Sequence, residues 1–171
     1  IEETDPELEY WQTEYSLLGN GYKAIHSGGS SRTLSPMECG ISLARIIHND
    51  LVEADCSGWQ WWTTFEKDAS SGNEERFALI RYILNNQQTD GVYRPTKLLY
   101  ALGNFSRFIR PGMKRVDVMR LDGLSAADAI ANQMVSAYID EINHELVIVV
   151  INASTQSRSI RMNISGLSNN M

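Results

Sequence analysis

Long apolar runs are missing from this 171-residue chain. The longest, Leu146 to Ile151, is far too short to cross a bilayer, so no membrane insertion is expected. Basic charge is also in deficit. Lys and Arg total 15 against 21 Asp and Glu, a formal net charge of −6, which argues against a nucleic-acid surface and an anionic membrane as partners. Histidine is scarce. His26, His48 and His144 lie far apart at spacings that suit no metal site, and no cofactor is expected. No Gly-x-Ser-x-Gly elbow is present, and Gly19-Asn20-Gly21 lacks the lysine and helix start of a phosphate loop. No leader-like segment is visible, which in a chain starting at Ile1 says nothing about export. The only cysteines, Cys39 and Cys56, fall near the two ends of one expected helix. That separates them by roughly 25 Å along the axis, too far for a disulfide.

What is present reads as two kinds of structure. Residues 9–18, Glu-Tyr-Trp-Gln-Thr-Glu-Tyr-Ser-Leu-Leu, have the aromatic character of a strand, and 19–35 form a long Gly/Ser-rich loop. Ser35-Pro36-Met37-Glu38 is a helix start with a capping box. Ile41, Ala44, Ile47, Leu51 and Ala54 then carry a helix over 36–54. Ser57–Phe65, with three tryptophans, reads as the next strand. Strand, long helix, strand is a βαβ unit with a parallel pair. Polar residues 66–75 hold a Ser-Ser-Gly turn, Phe77–Leu84 a short strand, 85–90 a turn and Gly91–Tyr93 a return strand. Pro95 opens a second helix that Pro111-Gly112 stops.

After Pro111 the pattern becomes period two. Residues 115–121, 134–140, 145–152 and 157–164 read as strands of an antiparallel meander, with Val135, Ala137 and Ile139 alternating with Ser136, Tyr138 and Asp140. The expected organisation is therefore α/β over residues 1–111, followed by an all-β part over 112–171. A closed (β/α)8 barrel needs roughly 250 residues, so the first part holds about a quarter of one. The second part supplies only some strands of a β-sandwich.

Two features could carry chemistry. Glu14 sits near the C-terminal end of a strand that feeds a crossover, between Trp11 and Tyr15. In α/β barrels that edge bears the reactive groups, and aromatic rings stack on sugar faces. An exposed glutamate on a frayed strand fits the same pattern. In the tryptophan strand, alternation puts Gln60 and Trp62 on one face and Trp59, Trp61 and Thr63 on the other. Trp59 and Trp61 read as core, and Trp62, nearest the strand end, as a sugar-facing wall. Asn-x-Ser occurs at Asn104, Asn152 and Asn163, a spacing too common by chance to assign glycosylation.

These segments resemble family 30 glycoside hydrolases. Trp11-Gln12-Thr13-Glu14-Tyr15 is similar to the strand-seven segment of that family, and Ser57-Gly58-Trp59-Gln60-Trp61-Trp62 to its strand eight. The thirteen residues from Tyr100 to Gly112 are similar to the segment that leaves the barrel for the sandwich. The resemblance implies the C-terminal strands and helices of a (β/α)8 barrel joined to a β-sandwich, and hydrolysis with retention. It implies Glu14 as nucleophile, Trp62 as the aromatic wall beside the cleaved bond and Tyr15 near the site. The substrate would be a β-linked polysaccharide, β-1,6-galactan favoured, with xylan or β-glucan as alternatives. The family's acid/base belongs to an Asn-Glu-Pro motif on strand four, which no residue here matches. The chain is then expected to lack the N-terminal part of its own barrel and to be inactive alone. The family's habit also implies a secreted, periplasmic or cell-surface protein. A non-catalytic carbohydrate-binding or degenerate hydrolase-like protein is the alternative. The capped helix and βαβ order count against it.

Overall fold

A computed structural model describes residues 8–19, 21–23, 26, 32–68 and 75–166. Residues 20, 24–25 and 27–31 of the expected loop over 19–35, and the expected Ser-Ser-Gly turn, lie outside the described residues. The chain forms two compact units, Ile1–Gly103 and Asn104–Met171.

In the first unit, strand β1 (Trp11–Tyr15) and strand β2 (Gly58–Trp61) pair in parallel, joined through helix α1 (Pro36–Val52). The helix starts where the sequence says it should. The Ser35 side chain accepts the Glu38 N–H at 3.3 Å, and Glu38 Oε2 accepts the Ser35 N–H at 2.8 Å. These bonds satisfy two of the donors that every helix start leaves open. The buried stripe is Cys39, Leu43, Ala44 and Ile47. Ala54 lies past the helix end and is exposed. Ala44 and Ile47 are thus buried as expected, Ile41 and Leu51 are half-buried, and Cys39 and Leu43 join the buried face. Gly40 marks its closest approach, since a Cβ there would lie 3.1 Å from the Lys97 carbonyl oxygen. Neither cysteine is in a disulfide.

The strand expected over Ser57–Phe65 is two strands in different sheets. β2 ends at Trp61, and β3 (Phe65–Lys67) pairs in parallel with β4 (Ile80–Leu84). The reason lies in the backbone hydrogen bonds. Trp62 N–H still donates to the Tyr15 carbonyl (2.9 Å), but Thr63 N–H donates to Phe77 O (3.3 Å). The Thr63 and Thr64 carbonyls accept from Leu79 (3.1 Å) and Ile80 (2.8 Å). The chain changes partners between Trp62 and Thr63, where the peptide bond is cis. Strand β5 (Gly91–Pro95) closes an antiparallel hairpin on β4. Pro95 ends that strand, so helix α2 (Lys97–Ser106) starts two residues later than expected. It also stops short of Pro111: the Phe108 and Ile109 N–H groups both fold back on the Phe105 carbonyl (3.1 and 2.8 Å).

The second unit holds a three-stranded antiparallel sheet of β6 (Lys114–Val116), β7 (Gln133–Asp140) and β8 (Glu145–Asn152). A short helix α3 (Ala126–Ala131), capped by Ser125, was not expected from the sequence. Two sequence expectations fail here. The 115–121 strand shrinks to three residues, and Ser157–Ile164 forms no strand among the described residues. Ile160, Met162 and Ile164 alternate as a strand would, yet all three are exposed. Alternation alone makes no strand without a neighbouring edge to pair with. On β7 the more deeply buried face is the one carrying Met134, Ser136 and Tyr138, not the one carrying Val135 and Ile139. The large tyrosine ring outweighs its single hydroxyl as buried area. Among the described residues the strands form three separate sheets and no closed barrel.

Candidate active site

The C-terminal end of the β1–β2 pair brings Glu14, Tyr15 and Trp62 together in sequence and hydrogen bonding. The Tyr15 carbonyl accepts from Trp62 N–H, so Trp62 leaves β2 directly across from the residue after Glu14. Glu14 is exposed, and no hydrogen bond or ion pair engages its carboxylate among the described residues. Trp62 is 49% exposed and meets Phe77 edge-on, with ring centroids 6.4 Å apart. The Arg76 guanidinium in turn lies 4.7 Å from the Phe77 centroid.

Strand β1 is not a regular ladder. Gln12 pairs with Trp59 and Tyr15 with Trp61, so three residue steps on β1 face two on β2. An extra residue therefore sits at Thr13–Glu14, the defining feature of a bulge. Its consequence is positional. A regular register would set Glu14 opposite Trp61 and turn its carboxylate to the face where Trp59 and Trp61 stack. The bulge gives that place to Tyr15. The Tyr15 ring lies 6.2 Å from Trp59 and 6.4 Å from Trp61, and the two indoles stack at 6.2 Å.

That aromatic face is tied to α1 and to the β4 approach. Trp59 Nε1 donates to Asp50 at 2.7 Å, and Trp61 Nε1 donates to the Phe77 carbonyl at 2.6 Å. Burial, then the nearby Asp50 charge, pushes the Tyr15 hydroxyl pKa up. Trp59 and Trp61 are half-buried and share one face, opposite in alternation to Trp62. At the start of the pair, the Trp11 ring lies over Gly58, where a Cβ would come within 2.8 Å of it.

Two polar clusters escaped sequence reasoning. At the start of α1, Arg32 grips Glu38 with both guanidinium nitrogens (3.0 and 2.6 Å). His26 reaches Ser42 Oγ at 2.9 Å and Glu38 at 3.8 Å. Hydrogen bonds from Arg32 and the helix cap hold the Glu38 carboxyl down at about 2. Burial lowers the His26 pKa, and Arg45 adds to the effect. The capping box was visible in the sequence, but nothing local pointed to Arg32 or His26. Behind the hairpin, Asp68 pairs with Arg81 (3.1 Å) and Arg94 (3.7 Å), and Arg94 also pairs with Glu75. These ion pairs join positions up to 26 residues apart, a separation that no spacing rule covers. Among the described residues no group of three or more His, Cys, Asp or Glu could hold a metal ion.

Comparison with known proteins places this arrangement. A family model described as O-Glycosyl hydrolase family 30 matches residues 1–72. The chain is 30% identical over 114 residues to the Glucuronoxylanase XynC of Bacillus subtilis (strain 168), covering 67% of this chain and 21% of that protein. It is similar to the crystal structure of a conserved exported protein from Bacteroides fragilis, at 33% identity and TM-score 0.69. That match covers 88% of this chain and 29% of the other. It is also similar to the catalytic domain of a GH30 xylanase C from Talaromyces cellulolyticus, at 25% identity and TM-score 0.56, over 84% of this chain and 28% of the other. The chain thus spans less than a third of each of these relatives, and its similarity to family 30 glycoside hydrolases is at the family level.

Proposed function

We propose that this chain carries the nucleophile-bearing end of a retaining glycoside hydrolase that cleaves a β-linked polysaccharide. One observation carries the reading. The only parallel pair joined through a helix among the described residues ends in an exposed, unengaged Glu14, and Trp62 N–H donates to the carbonyl of the next residue, Tyr15. The family-level similarity supports it.

In this mechanism the Glu14 carboxylate attacks the anomeric carbon, and the glycosidic C–O bond breaks. A second carboxylic acid, contributed from outside this chain and about 5–5.5 Å from the Glu14 carboxylate, protonates the leaving oxygen. The same group then takes a proton from water, which displaces Glu14 and restores the starting configuration. Trp62 offers an indole face to the sugar ring beside the cleaved bond. Tyr15, packed on Trp59 and Trp61, holds the strand end from the other face. The family resemblance favours β-1,6-galactan, while two of the similar proteins are named as xylanases. Galactan and xylan are therefore the first substrates to compare. The similar exported protein supports action outside the cytoplasm.

The test is intact-mass analysis of the full-length protein after incubation with 2-fluoro galactosyl, xylosyl and glucosyl traps. One sugar added at Glu14 is expected, with turnover lost in Glu14→Gln and its melting temperature kept. No adduct with any probe, alongside measurable binding of polysaccharide, would replace the hydrolase reading with that of a carbohydrate-binding protein.

A further inference from the structure

A bulge that re-aims a side chain must itself be held. The extra residue leaves the ladder, and its backbone N–H then needs another acceptor. In β1 that acceptor is close by: Gln12 Oε1 accepts the Glu14 N–H at 3.4 Å. The rungs on either side are anchored independently. Gln12 pairs with Trp59, whose indole is fixed to Asp50, and Tyr15 pairs with Trp61, whose indole is fixed to the Phe77 carbonyl. The bulge is therefore clamped at both ends, and the Gln12 amide closes the turn between them.

We infer that Gln12 is a positioning residue for Glu14: its side-chain carbonyl holds the bulge that turns the Glu14 carboxylate away from the Trp59–Trp61 face. The inference rests on the nucleophile reading above. It adds a residue that does not touch substrate and acts only through the backbone of the group that does. A carboxylate released from that hold would sample both faces of the strand. Displacement of about 1 Å at a reacting group costs up to roughly a hundredfold in rate.

The experiment uses the full-length protein and the 2-fluoro glycoside that labels it, measuring the inactivation rate constant and the inhibitor constant separately. Gln12→Met keeps the length and removes the acceptor. Its expected result is a rate constant lower by roughly tenfold to a hundredfold, with the inhibitor constant unchanged. Gln12→Glu keeps the acceptor, so its rate at neutral pH should recover most of the wild-type value. Wild-type inactivation by Gln12→Met overturns the inference. So does an equal loss in both variants that tracks a shared fall in melting temperature. If Gln12→Met does not fold, a loss of rate of roughly tenfold or more in Gln12→Glu, which keeps the acceptor, at an unchanged melting temperature overturns it. The wild-type control separates the two levels: no adduct on Glu14 in the unaltered protein removes the nucleophile assignment itself.

Discussion

Glu14 and Glu38 are two glutamates with opposite surroundings. Arg32 and the Ser35 cap hold Glu38, while Glu14 is left open at a strand end. The held carboxylate serves stability, and the sign follows from its depressed pKa. The Glu38 carboxyl is held at about 2 against 4.5 in the free side chain, first by the Arg32 hydrogen bonds. Its contribution is therefore present above the unfolded value and is lost as pH falls through about 2. Glu38→Gln should flatten the fall of the urea midpoint below pH 4.5. An identical acid profile in the variant would mean that the Arg32 pair adds nothing. Trp62 belongs to the other kind of residue. It is 49% exposed and touches Phe77 by its edge, so truncation removes only about half of the burial that a core tryptophan would lose. Trp62→Ala should raise KM at least several-fold and lower the melting temperature by only a few degrees. A large fall in melting temperature with a normal KM would make it a packing residue.

At the scale of elements, the β4–β5 hairpin depends on one glycine for a reason that has nothing to do with φ. Gly91 sits opposite Leu84, and a Cβ there would come within 2.3 Å of the Ile83 carbonyl oxygen. Backbone cannot retreat as a flexible side chain can. Gly91→Ala should destabilise the protein by about 1–3 kcal/mol, read as a lower melting temperature. A melting temperature equal to wild type would show that the hairpin opens at no cost. The start of the hairpin is fixed from below, where the Thr96 hydroxyl is 2.9 Å from both the Ala78 and Leu79 carbonyls. The βαβ unit was legible because its signals are local. Ser35, Pro36 and Glu38 specify a helix start within four residues, and the tryptophan run specifies an extended segment. The break after Trp62 was not legible, because it depends on partners at Phe77–Ile80 supplied by a later part of the chain.

At the scale of the whole molecule, the described strands form the β1–β2 pair, the β3–β4–β5 sheet and the β6–β7–β8 sheet, and none of these closes into a barrel. Both similar solved structures are more than three times longer than the portion that this chain covers. A retaining reaction needs two carboxyl groups facing across a sugar, and in the proposed function Glu14 supplies one. The 171-residue chain, incubated in parallel with the full-length protein, should give no trapped adduct and no release of reducing sugar. Turnover by the chain alone would require an acid/base among its own carboxylates and would end the proposal that another part of the barrel supplies it.

The amino-acid sequence alone determined the order strand, capped helix, strand, the β7–β8 hairpin and the candidacy of Glu14 and Trp62. Each rests on periodicity or capping over a few neighbouring residues, which folding does not rearrange. Tertiary structure alone decided which face Glu14 takes. One extra residue between two ladder rungs reverses side-chain direction, and an extra residue is visible only once β1 is laid against β2. It also decided that Ser157–Ile164 forms no strand and that Arg32 meets Glu38. A strand needs an edge to pair with, and an ion pair needs two side chains brought together by a fold. No local pattern encodes either.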